Sequence, residues 1–258
     1  MKGGKMDKSQ FCRRGRPGRV NQQAGTPVPI AAAPEPVKIR PSLDGLMAAY
    51  RILFDAYGPQ HWWPGDTPWE VCVGAVLTQN TSWKNVEKAI ANLKADNHGK
   101  FPPCNAILEM DLSRLAQLIR PSGYYNQKAI KLKAIAVWWK ENVNASSSLK
   151  LGRTMDEWRD SLLQVKGVGP ETADSILLYS FNLPSFVVDA YTKRIMSRHF
   201  GTDPEISYGE MRGIFMDNLP NDAKLFNEYH ALIVRLAKES CLKKGCSSTC
   251  PLIPIRNR

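Results

Sequence analysis

From Pro41 onward, apolar residues recur at helical spacing in Leu43 to Tyr57, Trp69 to Leu77, Trp83 to Leu93, Leu112 to Ile119, Ile130 to Trp139, Thr172 to Phe181, Ala190 to Met196 and Leu225 to Leu236. Each stretch predicts a helix with one face turned to a core. The polar punctuation agrees. Thr67-Pro68-Trp69-Glu70 has the form of a capping box with proline at the first helical position, and Thr154-Met155-Asp156-Glu157 sets an N-cap before first-turn acids. No alternating stretch is long enough to build a sheet, and Ser185 to Val188 reads as an extended connection. The pattern predicts an all-α protein without internal repeats.

Composition changes the picture mainly at the N-terminus. The chain has 258 residues, 43% of them hydrophobic, which suffices for a substantial core in one or two domains. Its formal charge is +11, and residues 1–40 carry +7 of it. That segment includes Arg13-Arg14-Gly15-Arg16-Pro17-Gly18-Arg19, with five prolines and one aromatic across the forty positions. It cannot offset the entropy of ordering by burial, so a disordered basic tail that tracks phosphates, or simply aids solubility, is expected. An early start codon, with Met6 or Met47 as the true one, would also account for it. The chain lacks a signal-peptide core or a membrane-length apolar run, so a cytoplasmic, nucleoid-associated protein with no membrane partner is expected. The Arg-rich, acid-poor tail leaves an organellar address open.

Candidate chemistry begins at Leu163-Gln164-Val165-Lys166-Gly167-Val168-Gly169-Pro170-Glu171-Thr172-Ala173. Gly167 ends one helix and Pro170 starts the next, since a first-turn N–H has no intrahelical partner to lose. Two of the three linking residues have no side chain, so backbone N–H groups can approach a phosphate, with Lys166 beside them. An ordinary corner between helices would use the same residues. Downstream, Pro184-Ser185-Phe186-Val187-Val188-Asp189 delivers a lone carboxylate at the start of a helix, where an Asp is also explained as an N-cap.

Together with Gly74-Ala75-Val76-Leu77-Thr78-Gln79-Asn80-Thr81, Gly123-Tyr124-Tyr125-Asn126-Gln127-Lys128-Ala129 and the terminal Cys250-Pro251-Leu252, these segments resemble the helix-hairpin-helix DNA glycosylases of the endonuclease III superfamily. The resemblance runs from about Trp69 to Leu252. It implies two lobes: a helical barrel over 67–188, and a second lobe from 41–66 and 189–258. It also implies a monomer that kinks duplex DNA and flips out a damaged base.

The resemblance implies that Lys166, Gly167, Val168 and Gly169 grip DNA phosphate and that Asp189 is catalytic. A carboxylate near the anomeric carbon stabilises the positive charge that forms as an N-glycosidic bond breaks. Bifunctional members carry a lysine where this chain has Glu171. Glutamate cannot form the Schiff base needed for strand cleavage, which argues for hydrolysis by water. His61-Trp62-Trp63-Pro64 and Trp83 are similar to the 3-methyladenine DNA glycosylase III branch. Trp63 and Trp83 would hold an electron-poor alkylated purine by stacking and cation–π attraction, or would serve as core and staple residues. Gln79 would contact the opposite base, or be a buried hydrogen-bonding residue. A pyrimidine glycosylase with lyase activity and a catalytically silent DNA-binding module are the competing functions.

Cys12, Cys72 and Cys104 are scattered. Cys241, Cys246 and Cys250 fall where the resemblance implies a [4Fe-4S] site, but their C-x4-C-x3-C spacing departs from the family's C-x6-C-x2-C-x5-C, and Arg256 occupies the expected fourth position. A degenerate loop is the alternative. Zinc through three cysteines and a histidine is disfavoured, because His230 lies a long helical stretch away.

Overall fold

The caps predicted from sequence set the helices in register. In the computed structural model, which describes residues 42–146 and 148–256, Thr154 and Glu157 form a complete capping box ahead of α7 (Met155–Leu163). At α2 (Pro68–Leu77) only half of the expected box forms. Thr67 accepts from the N–H of Glu70 at 3.1 Å, but the Glu70 carboxylate accepts from the N–H of Asp66 and pairs with Lys94 at 2.8 Å. Glu70 is 4% exposed, and the partly exposed Lys94 neutralises this buried charge. The basic segment 1–40, with Cys12, lies outside the described residues, which belong to one compact unit.

The fold is all-α, and its short elements close two apolar clusters. The first gathers α2, α3 (Trp83–Asp96), α4 (Cys104–Glu109), α5 (Leu112–Leu118), α6 (Tyr125–Asn142) and α7 around Leu77, Leu93, Ile107, Leu132 and Trp158. The second gathers α1 (Leu43–Tyr57), α9 (Ala190–Phe200), α10 (Tyr208–Met216) and α11 (Ala223–Glu239) around Leu53, Phe186, Phe215, Phe226 and Tyr229. Phe186 stacks on Phe215 at 3.8 Å, and the Tyr229 hydroxyl donates to Leu46 O at 2.9 Å. Between the clusters, α8 (Pro170–Ser175) widens into a π-helical turn over Ile176–Ser180. Ile176 and Leu177 belong to the first cluster and Leu178 to the second, so this segment serves both cores. Sequence periodicity did not predict α4, α10, the last turn α12 (Ile253–Arg256), or the two-residue strands β1 (Cys241–Leu242) and β2 (Gly245–Cys246). Apart from the nine-residue α10, those elements are too short for a period to show. No helix among the described residues is long and apolar enough to cross a membrane.

One buried carboxylate joins these parts. Asp174 on α8 is fully buried and receives Arg159 of α7 in a bidentate pair at 2.8 and 3.1 Å. Ser185 of the extended connection donates to it at 2.5 Å, and Tyr208 of α10 at 2.6 Å. Arg212 lies 3.5 Å away. Removing one member of a buried ion pair strands the rest, at a cost of about 3 kcal/mol or more. Asp174→Ala is therefore expected to lower unfolding stability by about that amount in a urea titration; a loss under about 1 kcal/mol would show that solvent reaches the network.

Candidate active site

The connection after Ser185 is extended because Phe186, Val187 and Val188 are all buried, which delivers Asp189 to the wall of a cavity of about 900 Å³. Trp62, Trp63, Gln79, Trp83, Gly167, Gly169, Glu171, Tyr191 and His230 share that cavity. Asp189 divides its two oxygens between two tasks. Oδ1 caps α9, accepting from the N–H of Thr192 at 2.7 Å and its hydroxyl at 3.0 Å. Oδ2 lies 3.6 Å from His230 Nε2, whose Nδ1 in turn shares a 2.6 Å hydrogen bond with the Tyr179 hydroxyl. Burial pushes the Asp189 pKa up, but electrostatic attraction to the nearby His230 and the hydrogen bonds from Thr192 outweigh it and hold the carboxyl below its ordinary value. Asp189 is thus an anion at neutral pH, with a side chain 15% exposed.

Glu171 opens onto the same cavity from the first turn of α8. Its side chain is exposed at the cavity mouth, where partial desolvation and the charge of Asp189 raise its pKa to about 7, with His230 opposing. Two carboxyl groups in one cavity therefore titrate far apart. His230, Tyr179 and Thr192 were not singled out for this site by the sequence. Thr192 carries the local signal of an N-cap partner. His230 and Tyr179 carry none, since they come together across 51 residues of chain.

Between α7 and α8 the hairpin does more internal bonding than a bare glycine loop requires. Gly167 takes a positive φ of 86°, and the N–H of Val168 is already used by Val165 O at 3.0 Å while its side chain is buried. Lys166 is exposed and stands outside the cavity lining. Gln79, at the end of α2, ties the hairpin down: its amide donates to Gly167 O at 3.0 Å and Thr172 Oγ1 at 2.9 Å, and accepts from Lys131 at 2.5 Å. With both ends of its amide engaged, Gln79 is a bonding residue of the hairpin as well as part of the cavity wall.

The tryptophans form a continuous aromatic wall. Trp63 meets Trp83 edge to face with centroids 5.1 Å apart, Trp62 touches both, and Tyr179 lies 5.0 Å from Trp63. Trp63 and Trp83 thus leave no slot between them for a third ring.

The three C-terminal cysteines converge at the far end of α9. Their Sγ atoms lie 3.5 Å (Cys241), 3.7 Å (Cys246) and 3.7 Å (Cys250) from His199 Nε2. Cys72 is buried in the first cluster and Cys104 packs against it, so neither takes part.

Known proteins place this geometry. The model of the HhH-GPD superfamily of base excision DNA repair proteins matches residues 73–221. A Methanocaldococcus jannaschii protein, provisionally named a DNA repair glycosylase, is 48% identical over 204 residues, covering 79% of this chain and 91% of its own. The Helicobacter pylori 3-methyladenine DNA glycosylase, solved with 1,N6-ethenoadenine, shares 29% identity at a TM-score of 0.59, over 76% of this chain and 95% of that one. An endonuclease III trapped covalently on DNA shares the fold, with a TM-score of 0.68 at 19% identity over 83% of this chain and 95% of that one.

The two hairpin glycines should answer differently to a methyl group. A Cβ on Gly167 would sit 2.4 Å from Lys131 Cγ in a backbone conformation that L residues rarely adopt, whereas one on Gly169 meets nothing within 4 Å. Gly167→Ala is expected to cost about 1–3 kcal/mol and Gly169→Ala well under about 1 kcal/mol in thermal melts; equal losses would contradict the hairpin geometry.

Proposed function

The chain belongs to the HhH-GPD superfamily of base excision DNA repair proteins and is a DNA glycosylase of that superfamily; we propose that it is monofunctional, releasing an alkylated purine from duplex DNA by hydrolysis. The observation that carries this reading is the ionised Asp189 facing an aromatic-walled cavity that Glu171 also lines, at the position where the family resemblance implies a lysine in lyase members. Breaking the glycosidic bond leaves positive charge on the sugar, and a fixed anion at the anomeric carbon stabilises that charge without having to reorganise. His230 and Thr192 keep Asp189 deprotonated and oriented, and water completes the substitution. An alkylated purine leaves as a neutral base, so no strong general acid is required. The likeness to a 3-methyladenine glycosylase supports a purine substrate.

The damaged base would stack on the cavity face of the Trp62, Trp63 and Trp83 cluster, where electron-rich indoles attract a cationic ring. Backbone groups of Gly167 and Gly169, held by Gln79, would meet the phosphate, with Lys166 adding charge at the rim. Val168 contributes by anchoring the hairpin in the core.

Duplexes carrying single lesions, scored separately for base release and strand nicking, test this reading. The expected result is release of a methylated purine with the abasic strand intact until alkali is added, and a loss of about 10²–10³-fold in rate for Asp189→Asn with DNA binding retained. A covalent adduct trapped by borohydride would overturn the hydrolytic mechanism.

Glu171 makes the pH profile informative. As pH rises through about 7 its carboxyl ionises and adds a second negative charge beside the developing cation. Base release should therefore increase across that range and level off above it, and Glu171→Gln should flatten the step. A step that persists in the variant would assign it to another group.

A further inference from the structure

The family resemblance suggests a [4Fe-4S] cluster at the C-terminal cysteines, and the donor set does not fit one. A cubane gives each ligand its own iron, so its donors surround a cube and stand far apart. Here one imidazole nitrogen lies 3.5, 3.7 and 3.7 Å from three sulfurs. A single tetrahedral zinc, with Zn–S of about 2.3 Å and Zn–N of about 2.0–2.1 Å, requires N···S separations of about 3.6 Å. We propose that His199, Cys241, Cys246 and Cys250 form a closed Cys3His site for one structural zinc ion.

The local structure supports the ligand set. Residues Cys241 and Cys246 pair directly across the β1–β2 ladder, which brings two sulfurs to one side of a tight turn. The N–H of Cys250 donates to Ser247 O at 3.1 Å and folds the third sulfur back onto the turn. His199 enters from the last turn of α9, which packs against α11 and α12. The sequence-based objection to zinc considered His230, which instead faces Asp189. Three thiolates and a neutral imidazole around Zn²⁺ carry one net negative charge, and Arg198 stands ready to balance it. Its Nη1 lies 3.1 Å from Cys241 Sγ and 2.8 Å from Leu242 O. Binding releases the three thiol protons to solvent.

The site locks the chain's C-terminal turn to one end of α9, and Asp189 caps the other end, about 16 Å away along the helix. Zinc is therefore structural, outside the cavity, and works by holding the helix that carries the carboxylate.

Full-length protein, purified anaerobically from cells supplied with both iron and zinc, should contain about one zinc per chain with trace iron and sulfide, and be colourless. After the zinc is exchanged for Co²⁺, tetrahedral d–d bands and thiolate-to-cobalt charge transfer should appear. His199→Cys should keep the metal and raise the charge-transfer intensity by about one third, as three thiolates become four. His199→Asn should lose most of the bound zinc and melt at lower temperature; if it fails to fold, His199→Cys carries the test. Brown protein with iron and sulfide in equal amounts would overturn the proposal, as would metal-free protein without cobalt bands or a cobalt spectrum unchanged in His199→Cys.

Discussion

The buried Asp174 carboxylate is the constraint on which the arrangement depends. Arg159, Ser185 and Tyr208 bring α7, the extended connection and α10 to one point on α8. An unpaired charge at that depth would be costly, so these elements have little freedom to separate. The Tyr208 hydroxyl also accepts from the N–H of Val188 at 3.4 Å, immediately before Asp189. The network that fixes the connection therefore also fixes the entry angle of the proposed catalytic carboxylate.

The same economy governs Asp189. One oxygen is committed to the first turn of α9 and the other faces His230 and the cavity, so capping and electrostatic stabilisation use the same side chain without competing. Its neighbour Glu171 is a different kind of carboxyl. Exposed at the cavity mouth but partly desolvated and set beside an existing anion, it resists ionisation until about pH 7. The pair gives the cavity a fixed charge and a titrating one, a combination that a lysine at position 171 would remove.

The helical fold was legible because burial repeats at helical spacing and because caps are local. The Thr154 N-cap formed as read, with Glu157 completing a capping box, while the Thr67–Glu70 box lost its return bond to Lys94, a residue on another helix that no local pattern reveals. Asp189 stood out in sequence as the N-cap of a helix in a recognisable motif. His230 did not, because its approach to Tyr179 and Asp189 follows from how α11 packs, and neither did His199, which reaches the cysteines across 42 or more residues. Gln79 shows the limit from the other side: its amide was legible as a polar group on a barrel helix, and only tertiary structure shows it bonded to the hairpin.

In the proposed reaction solvent, with Asp189 as anion, completes the substitution at the sugar. Single-turnover release of a methylated purine in water containing a few per cent methanol tests it directly, by identifying the sugar product. A methyl 2-deoxyriboside fraction that grows with methanol concentration is expected, beside the ordinary abasic site. A sugar product insensitive to methanol and recovered attached to the protein would contradict it.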